Sequence, residues 1–123
     1  MPQLTNSKAI LVVEDEPLIR LDTTCTLEAA GFKVVEAENA DEALHQIRHN
    51  PEIGLVITDI NMPGTMSGLA LAMRVRELWP RIRVVVASGQ SMLFKEVAAL
   101  GLPFLRKPVQ TSELTQTAWR QLR

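Results

Sequence analysis

Leu55 to Pro63 reads Leu-Val-Ile-Thr-Asp-Ile-Asn-Met-Pro, a short apolar run that ends in a single carboxylate. Gly54 precedes the run, and Pro63 and Gly64 close it. A β-branched run with such boundaries is typical of a strand buried on both faces, as in a parallel sheet covered by helices. We therefore expect Asp59 at the carboxyl end of this strand, the edge at which open α/β sheets bind ligands.

The rest of the chain repeats this alternation of apolar runs and helical segments. Strands are predicted at 9–13, 32–37, 82–87 and 103–106, and helices at about 17–30, 39–49, 67–79, 91–100 and 111–122. Strand and helix thus alternate about five times. This order predicts an α/β fold, with a doubly wound, five-stranded parallel sheet, right-handed crossovers and about five helices.

Length and charge limit the classes of function. The chain has 123 residues, which suits one domain, and its net charge of -1 gives no bias toward nucleic acid or acidic lipid. Residues 1–7 are polar and lack the apolar core of a secretory signal. We expect a flexible tail at 1–7, a single domain at 8–123, a cytoplasmic location, and no direct contact with nucleic acid or membrane.

Polar residues stand at the ends of four of the predicted strands. They are Glu14 and Asp15 after the first strand, Asp59 on the third, Ser88 on the fourth and Lys107 on the fifth. In a parallel sheet all of them lie at one edge. With strand order 2-1-3-4-5, the first and third strands are neighbours about 4.8 Å apart, so the acid pair faces Asp59.

Such a cluster of acids needs a cation. Two carboxylates held about 4 Å apart repel by about 4 kcal/mol at an effective dielectric of ~20. Oxygen ligands favour Mg²⁺, with Mn²⁺ as the alternative ion. A metal beside Asp59, with Ser88 and Lys107 nearby, is suited to placing a phosphoryl group on that carboxylate. Asp59 is then the nucleophile, while Lys107 and the metal neutralise the phosphoryl oxygens and Ser88 donates a hydrogen bond to one of them.

Four motifs resemble the receiver domain of two-component response regulators, in particular single-domain members similar to the chemotaxis regulator. They are Leu-Val-Val-Glu-Asp-Glu-Pro at 11–17, Asp-Ile-Asn-Met-Pro at 59–63, Ala-Ser-Gly at 87–89 and Phe-Leu-Arg-Lys-Pro at 104–108. The resemblance implies a flavodoxin-like fold and transfer of a phosphoryl group to Asp59 from the phosphohistidine of a sensor histidine kinase or phosphotransfer protein. It implies a phosphoacceptor that takes part in its own phosphorylation and dephosphorylation, not a turnover enzyme.

The resemblance also assigns roles at the metal. Asp15 and Asp59 would bind Mg²⁺ directly with the backbone carbonyl of Asn61, and Glu14 would act through water. Ser88 and Lys107 would hold the phosphoryl oxygens, and a cis peptide would join Lys107 to Pro108.

A switch and its readout face follow from the same resemblance. Ser88 and the aromatic Phe104 would form a conformational switch that remodels the face made by the fourth helix, fifth strand and fifth helix. That face would meet a downstream protein target or form a homodimer. Trp119 is offset from the apolar stripe of the last helix, so we expect it to lie half exposed on that face.

Two other classes of function remain as alternatives. A phosphatase of the haloacid dehalogenase type uses similar groups, but it needs an acid two residues after the nucleophile, where this chain has Asn61. The second alternative is a receiver-like binding module that is never phosphorylated.

Asp22 and Thr23 stand in the first helix where the resembling family has aliphatic residues, and that helix commonly meets the kinase.

Overall fold

A computed structural model describes residues 8–62, 64, 66–89 and 94–123 of the chain. The tail predicted at 1–7 and the predicted start of the fourth helix at Ser91 lie outside these residues. None of the helices among the described residues is long and apolar enough to cross a lipid bilayer.

Five strands alternate with five helices in the described residues. The strands are β1 (Ala9–Val13), β2 (Lys33–Ala37), β3 (Ile53–Asp59), β4 (Arg83–Ser88) and β5 (Phe104–Arg106). The helices are α1 (Pro17–Ala29), α2 (Ala40–His49), α3 (Gly68–Leu78), α4 (Phe94–Ala99) and α5 (Thr111–Leu122). The alternation read from the sequence is therefore confirmed.

All strand pairs are parallel, and the sheet has the predicted order β2-β1-β3-β4-β5. Val13, the last residue of β1, pairs with Thr58, and Asp59 pairs with Ala87 of β4. The residues that follow β1 therefore lie beside the end of β3. This register places the acid pair and Asp59 at the same point of the sheet edge.

Alternate residues of the strands enter two apolar layers, one on each face of the sheet. In β1, Leu11 and Val13 pack with α2 and α3, while Ile10 and Val12 pack with α1 and α5. All of β1 is at most 2% exposed. A central strand buried on both faces holds its carboxyl end rigidly, which is what a site at that end requires.

The start of β3 differs from the prediction because Gly54 lies inside the strand. Ala9 pairs with Ile53 and Ile10 pairs with Leu55, so Gly54 is the extra residue of a bulge. A Cβ at Gly54 would lie 3.1 Å from both Leu122 Cδ2 and Lys8 Cδ. Glycine allows this close approach, whereas the sequence pattern indicated a boundary.

Side-chain caps set the starts of α2 and α3, among other helices. Asn39 Oδ1 accepts from the Glu42 amide at 2.8 Å, and Glu42 Oε1 accepts from the Glu38 amide at 2.7 Å. Ser67 Oγ accepts from the Ala70 amide at 3.1 Å. The α2 cap was predicted from Asn39 and Glu42, and it is confirmed.

Trp119 is half-buried, as expected, but it does not lie toward α4. Its ring packs against Phe32, with ring centroids 4.7 Å apart, in the layer that contains α1 and α5. The predicted surroundings of Trp119 were therefore wrong. The spacing of residues along α5 shows only that Trp119 is offset from the apolar stripe of that helix. Which neighbouring segment Trp119 faces depends on how α5 is rotated about its axis, and the packing of the surrounding elements sets that rotation.

Candidate functional site

Three carboxylates meet at the carboxyl edge of the sheet. Glu14 and Asp15 follow β1 directly, and Asp59 is the last residue of β3. One oxygen from each lies within 4.8 Å of the others. Glu14 is buried, Asp59 is half-buried and Asp15 is exposed, so the cluster opens toward solvent through Asp15.

Lys107 reaches this cluster from the segment after β5. Its Nζ lies 2.6 Å from Glu14 Oε1 and 3.2 Å from Asp59 Oδ2. Its backbone amide donates to the Ser88 carbonyl at 3.0 Å, which fixes the segment against the end of β4. The peptide between Lys107 and Pro108 is cis, as the resemblance implied. The ammonium thus joins the ends of β1, β3 and β5.

Two opposing effects act on the Lys107 ammonium. Burial by itself lowers the pKa of Lys107. The hydrogen bond to Glu14 and the negative charges of Asp59 and Glu14 act the other way. Together they outweigh burial and raise the pKa of Lys107 above its usual value of 10.5. Lys107 is therefore a cation throughout the neutral range.

Both carboxylate oxygens of Glu14 have partners. Oε1 accepts from Lys107, and Oε2 accepts from the Glu16 amide at 3.1 Å. The Glu14 side chain is 6% exposed, so water reaches its carboxylate poorly. Glu14 is consequently less available to bind a metal directly than Asp15 or Asp59.

The residues present fit a magnesium ion. Mg²⁺ takes oxygen ligands at about 2.1 Å in octahedral geometry, which puts neighbouring ligand atoms about 3 Å apart and opposite ones about 4.2 Å apart. The three carboxylates are hard oxygen donors, and their separation of up to 4.8 Å is close to that range. Asn61 is exposed and follows Asp59, the last residue of β3, by two residues.

Ser88 and Phe104 lie on the two strands next to the cluster. Ser88 ends β4, is 1% exposed, and comes one residue after Ala87, the partner of Asp59. Phe104 begins β5, is half-buried, and pairs with Val86. Ser88 itself pairs with Arg106 of β5. A displacement of Ser88 toward Asp59 would therefore move β4 relative to β5, the strand that contains Phe104.

Gly68 lies against the backbone of Asp59, a contact that the sequence analysis did not predict although it placed Gly68 in the third helix. Its amide donates to the Ile60 carbonyl at 2.8 Å, and a Cβ at this position would overlap the Asp59 carbonyl oxygen. The start of helix α3 therefore approaches the backbone of β3 so closely that only glycine fits at position 68. The available signal was a glycine directly after a helix-capping Ser67.

An apolar cavity of about 470 Å³ lies between α1 and α5 and reaches Asp59 and Lys107 at one end. Its floor is formed by strand residues, among them Val12 and Ile57, and Asp22 and Thr23 of α1 line one wall. Leu18 and Leu21 of α1 are 75% and 54% exposed. The surface beside the cluster is therefore apolar and open.

The family model of the response regulator receiver domain matches residues 10–118. The chain belongs to this family. Receiver domains act together with histidine kinases and downstream effectors, and they generally use Mg²⁺.

Three relatives show the extent of the similarity. Aerobic respiration control protein ArcA of Escherichia coli (strain K12) is 36% identical over 109 residues, which cover 86% of this chain and 44% of ArcA. The receiver domain of NtrX from Brucella abortus is 34% identical with a TM-score of 0.84, covering 92% of this chain and 97% of that chain. Response regulator protein TrrA of Thermotoga maritima, solved in complex with Mg(2+)-BeF, is 30% identical with a TM-score of 0.84. The match covers 93% of this chain and 98% of that chain. The chain spans less than half the length of the curated relatives that it matches.

The Lys107 contacts predict a pH-dependent contribution to stability. Because the pKa is raised in the folded protein, the contribution is fully present below the unfolded value near 10.5 and is lost as pH rises through the folded value. With chelator present, Lys107→Met should lower the free energy of unfolding by about 2 kcal/mol at neutral pH, since it removes hydrogen bonds between charged groups. The difference from the parent should shrink above pH ~10.5.

Urea denaturation at several pH values measures this difference. Lys95→Met, at an exposed position of α4, is the matched control and should stay close to the parent. A Lys107→Met deficit that is constant up to the most alkaline pH would contradict an ionic role for the ammonium.

Proposed function

We propose that this chain accepts a phosphoryl group onto Asp59 from the phosphohistidine of a sensor histidine kinase or phosphotransfer protein, in a Mg²⁺-dependent reaction. The observation that carries the proposal is the position of the Asp59 carboxylate, which lies within 4.8 Å of the acid pair and 3.2 Å from the Lys107 ammonium. Few other arrangements combine a nucleophilic oxygen with a site for a divalent cation and a fixed positive charge.

The transfer makes one bond and breaks one. An Asp59 oxygen attacks phosphorus in line with the donor imidazole, the new P–O bond forms, and the P–N bond breaks with its electron pair going to the imidazole nitrogen. Asp15, Asp59 and the Asn61 carbonyl would hold Mg²⁺ directly, with Glu14 acting through water. When bound, the ion neutralises charge on the transferring phosphoryl oxygens.

Lys107 and Ser88 complete the charge balance around the phosphoryl group. The Lys107 ammonium already contacts Asp59, so it needs only to exchange its bond to Glu14 for one to a phosphoryl oxygen. The Ser88 hydroxyl would donate to another phosphoryl oxygen, a role supported by the position of Ser88 one residue beyond the strand partner of Asp59. Donors that bind the transferring oxygens more strongly in the transition state than in the ground state would accelerate the transfer.

We propose a phosphoacceptor that assists its own phosphorylation and dephosphorylation, not an enzyme that turns over phosphate esters. Hydrolysis of an alkyl phosphate requires an acid that protonates the leaving oxygen. Asn61 occupies the position two residues after Asp59, and its amide has no acidic proton to give. A phosphoimidazole or acyl phosphate needs no such acid because its leaving group is already stable.

The donor is proposed to dock over α1, in the cytoplasm. Phosphohistidine must reach Asp59 at the edge of the sheet, and the surface beside that edge consists of exposed Leu18, Ile19 and Leu21 together with the cavity between α1 and α5. An exposed apolar patch next to a buried reactive group is typical of a protein interaction surface. Asp22 and Thr23, which interrupt this patch, are the residues we expect to set partner choice.

The phosphorylated state is proposed to be read by a downstream protein through Ser88 and Phe104. A phosphoryl group adds a charge of about −1.5 to −2 and three acceptor oxygens, which draw the Ser88 hydroxyl toward Asp59. The space left behind admits the Phe104 ring. Phenylalanine has no hydroxyl to desolvate, so its inward state carries no cost for a buried polar group.

Labelling tests the phosphoacceptor. Incubation with phosphoramidate and Mg²⁺ should add one phosphoryl group, about 80 Da by intact mass, and Asp59→Asn should gain none. Glycerol phosphate should label neither protein, because its leaving alkoxide needs the acid that position 61 lacks. Equal labelling of Asp59→Asn would refute the assignment, and turnover of glycerol phosphate would favour the phosphatase alternative.

Amide NMR tests the switch. Beryllofluoride with Mg²⁺, a mimic of the phosphoryl group, should shift the amide signals of Ser88 and of Phe104 to Arg106. Ser88→Ala should weaken the shift at Phe104 because the hydroxyl that moves is missing. Trp119 should change little, since it packs against Phe32 on the other layer. Shifts confined to the loops around Asp59 would instead place the readout on α1.

A further inference from the structure

Arg20 links α1 to the loop that holds the acid pair. Its Nη1 donates to the backbone carbonyl of Glu14 at 2.7 Å, and its Nε donates to Glu36 Oε1 at 3.0 Å. The arginine side chain is 19% exposed, whereas that of Glu36 is 41% exposed. The guanidinium therefore connects the loop to Glu36 of β2, and this ion pair is partly exposed to solvent.

The carbonyl that Arg20 binds belongs to the peptide between Glu14 and Asp15. Because a peptide unit is planar, fixing its oxygen fixes the directions in which both flanking residues leave it. The Glu14 amide, on the other side, donates to the Ala37 carbonyl at 3.0 Å. Glu14 is thus held at its amide by the end of β2 and at its carbonyl by Arg20. The two flanking side chains are the two acids of the site.

Arginine suits this position for a geometric reason. Nε and Nη1 belong to one rigid guanidinium plane, so the bond to Glu36 orients the bond to the Glu14 carbonyl. Glu36 pairs with Val12 across β1 and β2, so the strand pairing holds the Glu36 backbone in place. A lysine has the same charge but no rigid fork, and it cannot bind both acceptors in this way.

We propose that Arg20 is the positioning residue of the metal site: it orients the Glu14–Asp15 peptide so that the Asp15 and Asp59 carboxylates lie at the separation Mg²⁺ requires. The inference rests on the proposed Mg²⁺ site. Arg20 does not touch the ion or the reacting atoms; it acts through the backbone of the loop.

Removal of Arg20 changes the affinity for Mg²⁺ in opposite directions depending on whether its charge or its orienting hydrogen bond matters more. The sign of the change in affinity therefore decides between the two. A positive charge near the acids repels Mg²⁺, and its loss alone would tighten binding. Loss of the orienting bond would weaken binding, because outer-shell partners of metal ligands change metal affinity by about tenfold or more. A purely structural role would lower the melting temperature and leave the dissociation constant for Mg²⁺ unchanged.

Calorimetric titration with Mg²⁺, well below the melting temperature of each protein, separates these cases. Arg20→Met should weaken Mg²⁺ binding by about tenfold. Arg20→Lys keeps the charge and should recover only part of this loss, and Glu36→Gln, which leaves Arg20 in place, should lose less than Arg20→Met. Circular dichroism confirms that each variant is folded, and Glu36→Gln and Arg20→Lys keep the test decisive if Arg20→Met unfolds.

The outcomes distinguish this inference from the proposed function. A parent protein that does not bind Mg²⁺ would refute the metal site and with it the inference. A parent that binds Mg²⁺ while Arg20→Met binds it equally or more tightly would leave the site intact and overturn the positioning role. Full recovery in Arg20→Lys would show that a single donor to the Glu14 carbonyl is enough, and it would overturn the role given to the rigid fork.

Discussion

The Lys107 ammonium bridges two carboxylates from different strands, and the arrangement of the whole sheet edge depends on it. Glu14 and Asp59 lie close enough that two such charges repel by about 4 kcal/mol at an effective dielectric of ~20. The ammonium offsets that repulsion where β1, β3 and β5 end. Three carboxylates against one ammonium still leave two negative charges uncompensated, which is the charge of one divalent cation.

Chemistry and partner choice are divided between strands and a helix. The acids, Ser88 and Lys107 lie at or just beyond the ends of strands whose apolar residues are almost fully buried, so their positions tolerate little change. Helix α1 turns exposed Leu18 and Leu21 outward, together with Asp22 and Thr23. A surface of this kind can vary without disturbing the sheet, so partner recognition can change while the proposed reaction stays the same.

Most of the fold, and the gathering of the site residues, could be predicted from the sequence. Buried parallel strands read as continuous apolar runs, and the residue that ends each run lies at the same edge, so Glu14, Asp59 and Lys107 are brought together by topology alone. Their contacts confirm that reasoning at atomic distances. Which groups bind metal or phosphoryl oxygens stays a prediction.

Other features depend on contacts between distant segments, which no local pattern encodes. Gly54 looked like a boundary because a bulge and a turn use the same residue. Trp119 was assigned to the wrong side because spacing along α5 does not give its rotation against Phe32. No local pattern marks Arg20, and only the fold brings it to the Glu14 carbonyl and Glu36.

The proposed cation site depends on the crowding of the acids at the sheet edge. The most direct measurement is the melting temperature of Asp15→Asn and of the parent, with chelator and with saturating Mg²⁺. The account predicts that the metal-free variant melts higher than the metal-free parent, because one repelling charge is gone, and that Mg²⁺ raises the parent's melting temperature more than the variant's. A metal-free variant that melts lower than the parent, or an equal gain with Mg²⁺ in both proteins, would contradict it.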